Sequence, residues 1–187
     1  MSVDYFVYLK SDEPEVSEFE KYAASLGFKI SVHPECDLSS HAGFLPFSLS
    51  YNKFEDENVH GAFLTGFEFY RDEYLPQKKT QTKPKSFISL FRKKQKMQET
   101  PFDSAVKDSS YVLTLACGTS DSFEILVAYI FGAYCVRKCN AVFDDPQFGC
   151  FFNDPVQIEE EVDKIVEELC DEKSKGNLAA HKFEGWL

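Results

Sequence analysis

From Ile125 to Val136 the chain runs for 12 residues without a charge, and its apolar side chains fall on every side of a helical wheel. A helix of that kind needs neighbours all round and cannot lie at a surface. It is also too short for a membrane span, which takes about 18 to 20 residues. The run therefore predicts a core helix, from Ser122 to Arg137, around which everything else must pack. Asp121 and Glu124 stand at capping-box spacing at its start, and Asn140 ends it.

The flanking sequence supplies the packing partners. Tyr111 to Ala116 is dense in β-formers and predicts a strand feeding the helix. Beyond it, Ala141–Phe143 and Cys150–Phe152 predict two short strands around the turn Asp144-Asp145-Pro146-Gln147-Phe148-Gly149. Asp154-Pro155 then opens a helix whose Ile158, Val162, Ile165, Val166 and Leu169 line one face. Upstream, Tyr5 to Leu9 predicts a first strand. Val16, Phe19, Ala23 and Leu26 predict a helix stopped by Gly27, and Phe28 to Val32 a second strand. Phe44–Tyr51 and Ala62–Tyr70 predict a hairpin or meander; in the later strand Phe63, Thr65, Phe67 and Phe69 share one face. Gln77 to Lys107 breaks the pattern and predicts a mobile loop, although Phe87, Ile88, Leu90 and Phe91 have the spacing of a short amphipathic helix. Residues 173–187 read as a polar tail.

Charge constrains the partners. The net charge is -11, and Lys78 to Lys96 holds eight of the 20 basic residues with no acid among them. The other 168 residues carry 12 basic against 31 acidic side chains, a net of -19. Such a body repels nucleic acid and attracts basic surfaces. The first residues, Met1 to Tyr5, have neither a basic region nor a long apolar run, so no signal peptide is expected, and the six cysteines read as free thiols of a reducing, cytoplasmic setting.

Several constellations have a chemical reading beside a plain one. Cys135 and Cys139, with Cys150 nearby, resemble half a zinc site, but no fourth ligand is placed and the pair lies inside a helix, so no metal or other cofactor is expected. His33, Cys36 and His41 cluster on a loop with nothing to orient them. Gly118-Thr119-Ser120 sits where a phosphate loop would, yet it has one glycine and no lysine, and Asp121 adds repulsion. Lys78 to Lys96 has basic and aromatic residues suited to nucleic acid, which the acidic body opposes. The acidic turns remain: Glu55, Asp56, Glu57, Asp72, Glu73, Asp144 and Asp145 are the candidates for docking a basic partner by electrostatic steering.

The order from Tyr111 to Leu169 — strand, buried helix, Asp-Asp-Pro-Gln-Phe-Gly turn, strand, acidic helix — resembles an arrangement found among small bacterial toxin-immunity proteins, including those of contact-dependent growth inhibition. The resemblance implies a small acidic cytosolic protein, not an enzyme, that binds one cognate toxin as a monomer and blocks it. The basic stretch from Lys78 to Lys96 departs from that pattern.

The expectation is a single domain over residues 1–187 of α+β class: a mainly antiparallel twisted sheet of five to seven strands with three main helices. The expected function is neutralisation of a toxin, a nuclease for instance, by occluding its active site, with no nucleic acid and no membrane as partner. Two alternatives stand beside it: a small enzyme or ligand-binding domain with a site near Cys117 to Asp121 and His33/Cys36, and an adaptor using both the basic stretch and the acidic body.

Overall fold

Period-two alternation builds the strands, and pairing makes them one sheet. The computed structural model describes residues 2–54, 61–75, 100–118 and 121–186. In chain order these form β1 (Val3–Leu9), α1 (Val16–Ser25), β2 (Lys29–Val32), β3 (Gly43–Ser50), β4 (Phe63–Glu73), α2 (Pro101–Val106), β5 (Tyr111–Cys117), α3 (Glu124–Lys138), β6 (Val142–Asp145), β7 (Cys150–Phe152), α4 (Pro155–Ser174) and β8 (His181–Lys182). The strands lie in the order β2-β3-β4-β5-β1-β6-β7, and every pairing is antiparallel. The fold is α+β, as the alternation predicts. The stretch predicted as a basic loop falls mostly outside the described residues, as does the turn bearing Glu55, Asp56 and Glu57.

The sheet has two unlike faces. On one, Val7, Leu9, Leu45, Phe47, Phe67, Phe69, Leu113 and Leu115 are buried against the helices. There α3 lies on β1, β4, β5 and β6, while α1 and α4 pack against α3. This enclosure explains why its sequence is apolar all round: every residue from Leu126 to Val136 is buried. Gly132 has a specific reason to be glycine, because a Cβ there would overlap the Phe143 ring of β6. Polar tethers complete the helical layer. Arg137 of α3 makes a two-pronged ion pair with Glu159 of α4, both bonds at 2.7 Å, and the Tyr22 hydroxyl of α1 donates to the same carboxylate at 2.6 Å.

Three local expectations are revised. The core helix starts at Glu124 rather than Ser122, so the reciprocal box does not form: Asp121 accepts from the Phe123 N–H at 2.7 Å, and Glu124 instead accepts from the Gly118 N–H. Within the predicted irregular stretch, residues 100–106 form a helical start, with Thr100 and Asp103 in a full capping box and Pro101 in the first turn. The polar tail is tied down: β8 pairs with Phe63 and Leu64 of β4, on the edge that β5 occupies further along, and the Ser122 N–H donates to the Ala179 carbonyl at 2.8 Å. No helix among the described residues is long and apolar enough to cross a membrane.

Candidate binding face

The second face of the sheet carries residues that alternate with the core. Register across the strands sets them in rows. Phe44 of β3 stands beside Glu68 of β4, then Ala116 of β5 and Asp4 of β1. The next row runs Tyr70, Thr114, Phe6, Asp144 and Phe151, from β4 to β7. A third places Asp72 beside Val112 and Tyr8. From β3 to β6 the face is four strand spacings across, about 19 Å.

Among the described residues, α2 covers one end of this face: Phe102 packs edge-on against Tyr8 and Phe151, and Tyr74 against Tyr8. Towards β3 and β4 no other described element covers the face, where Phe44 is 49% and Tyr70 43% exposed. Gly66 makes room for Phe44, since a Cβ on Gly66 would come within 2.6 Å of that ring and 2.5 Å of the Leu45 carbonyl. The Tyr70 hydroxyl donates to Glu68 at 3.0 Å, which fixes the ring among the acids. Asp4, Glu68, Asp72 and Asp144 give the face its charge, with Lys29 of β2 and Lys10 beyond β1 at its margins. Burial, with the neighbouring Asp145 carboxylate, raises the Asp144 carboxyl above the usual range.

The predicted docking residues divide sharply. Asp72 and Asp144 do share this face, three strand spacings and one row apart, about 16 Å. Glu73 is exposed where β4 ends. Asp145, expected at the surface, is fully buried. It follows Phe143 by two residues in β6, so its side chain turns inward. There it accepts from the Tyr129 hydroxyl of α3 and, with its other oxygen, from the N–H groups of Gln147 at 2.9 Å and Phe148 at 3.3 Å. Asp145 builds the β6–β7 turn and is unavailable to a partner. Glu55, Asp56 and Glu57 lie outside the described residues.

Among the described residues the two halves of the alternative site are not assembled, and Thr119 and Ser120 lie outside those residues. Cys117 is buried on the helix side of β5, where burial pushes its thiol far above the usual range and its Sγ donates to the Glu124 carbonyl at 3.6 Å. His33 and Cys36 lie past the end of edge strand β2, three strand spacings or about 14 Å away. His33 packs edge-on against Trp186, and its Nδ1 accepts from the Glu35 N–H at 3.2 Å. Among the described residues no group of three or more His, Cys, Asp or Glu side chains is placed to hold a metal.

Comparison with known proteins found no matching family model, no matching curated protein and no matching solved structure. The chain's own surface chemistry therefore bears the functional reading.

Proposed function

We propose that this chain is a binding protein of the immunity kind, which docks the open face of its sheet on a basic toxin and occludes the toxin's active site. One observation carries the reading: two exposed rings, Phe44 and Tyr70, share with Asp4, Glu68, Asp72 and Asp144 a face that α1, α3 and α4 leave uncovered. Aromatic anchors of this kind supply most of the affinity at protein interfaces, while surrounding acids steer a positively charged partner, such as a nuclease groove, into place. The bacterial, cytoplasmic setting belongs to the same proposal.

The test is co-expression with the product of the adjacent gene. Wild-type chain should rescue growth and co-purify with that product as one complex. Phe44→Ala and Tyr70→Ala should each weaken the complex about tenfold or more, as hot-spot residues do. Undiminished protection and affinity in the double variant would overturn the docking face; turnover of a substrate with no complex formed would overturn the binding reading itself.

A further inference from the structure

On the opposite side of the sheet from the proposed docking face, between α3, α4 and the β6–β7 hairpin, lies a cleft of about 570 Å³. That volume falls within the range of small-molecule sites. Tyr5, Tyr129, Phe148 and Phe152 are among its lining, and Ile125 and Ile165 line the helix side. Phe148 is 82% exposed, yet its backbone is pinned through Asp145, so a bare aromatic ring is held at the mouth.

Two features give this apolar cleft a chemical preference. The first is Tyr5. It is only 3% exposed, its ring is fixed edge-on to Tyr129 and stacked on Phe143, and its hydroxyl makes no hydrogen bond to the described residues. Burial and the nearby Asp145 carboxylate both oppose ionisation of Tyr5, so its oxygen remains a neutral phenol. The second is charge. Asp145 lies behind the floor, bonded to Tyr129, and Glu161 and Glu168 line the cleft against one cation, Lys164, which is itself paired with Glu161 at 2.7 Å. Two carboxylates line the cleft against one ammonium, and a third lies behind its floor.

We propose that the cleft is a binding site for a protonated organic amine with an apolar body. The ammonium N–H donates to the Tyr5 oxygen and lies against the Tyr129 ring, whose quadrupole, with the Asp145 field, favours a cation. The hydrocarbon body lies between Ile125, Ile165, Phe148 and Phe152. This site is independent of the partner-docking face, and either can fail without the other.

Calorimetric titration of the full chain with n-octylammonium, n-octanol and octanoate tests it, with no partner protein present. Octylammonium should bind at least about tenfold more tightly than octanol, and octanoate should not bind, because the charge term is worth that much at a partly desolvated aromatic site. Tyr5→Phe should weaken octylammonium by about tenfold, the cost of one charged hydrogen bond. Phe148→Ala alters an exposed ring, leaves the fold intact and should weaken binding about threefold or more. Equal binding of octanol would reduce the cleft to an unspecific greasy groove and overturn the proposal. So would no heat from any probe, or wild-type affinity in both variants.

Discussion

Asp144 and Asp145 are adjacent in sequence and opposite in role, because a strand sends successive side chains to opposite faces. Replacing Asp145 with Ala would strand the Tyr129 hydroxyl in the core and release the turn's amides, at a cost of about 3 kcal/mol. Asp144→Lys, at a half-buried position whose side chain makes no hydrogen bond among the described residues, should cost only about 1 kcal/mol. Urea denaturation of the two variants checks this, and comparable losses would mean that Asp145 is not holding the turn. The signal for Asp145 was present in the sequence: it shares parity with Phe143. It was hidden by the turn-like run Asp-Asp-Pro, which reads as exposed. Tyr5 gave no comparable signal. It looks like any strand aromatic until β1 is placed under α3 and beside β6, a juxtaposition that no local pattern encodes.

Among the elements, α3 was the most legible because burial on all sides leaves a pattern that few other environments tolerate. Leu126→Ala removes a fully buried side chain from it and should cost about 2 to 5 kcal/mol, read as a large drop in melting temperature. An unchanged melting temperature would place the helix at the periphery. The helix ends were harder to read, since Asp121 and Glu124 have capping spacing but bond to Phe123 and Gly118 instead. β8 was illegible, because two residues, His181 and Lys182, have no measurable period. α2 was legible in its capping signature, Thr100-Pro101-Phe102-Asp103, but was obscured by the basic stretch before it.

The helix termini and the tethers also set a pH dependence with two opposing parts. Burial raises the carboxyls of Asp121 and Glu124 above their usual range, so the folded chain keeps protons there that the unfolded chain has released. Their contribution favours folding at low pH and declines as pH rises from about 4 through the raised values. Glu159 acts in the other direction: Arg137 holds its carboxyl low, which stabilises the fold above the usual Glu range and is lost as pH falls through the depressed value. Asp121→Asn keeps an acceptor for the Phe123 N–H while removing the charge. Its urea midpoint should therefore rise relative to the wild type between about pH 4 and pH 7. A constant difference across that range would show that Asp121 does not titrate abnormally.

At the scale of the whole molecule, the excess of acids acts through its range rather than through any one pair. Association with a basic partner should slow steeply with added salt, since attraction between exposed charges is screened beyond about 8 Å at physiological ionic strength. Asp72→Lys combined with Asp144→Lys should lower the on-rate and flatten that dependence, leaving the off-rate nearly unchanged. Stopped-flow association at several salt concentrations measures both, and an on-rate indifferent to salt would discard steering. The order of strands has a further consequence, for the newborn chain. Of these eight strands β1 is synthesised before the others, yet it lies between β5 and β6, whose residues are made more than a hundred positions later. Until they emerge, Val7 and its neighbours present two bare hydrogen-bonding edges, and closing so long a stretch of chain is entropically slow. The earliest of these strands to leave the ribosome is thus among the last to find its neighbours, and that interval leaves the sheet open to mispairing or to capture by a chaperone.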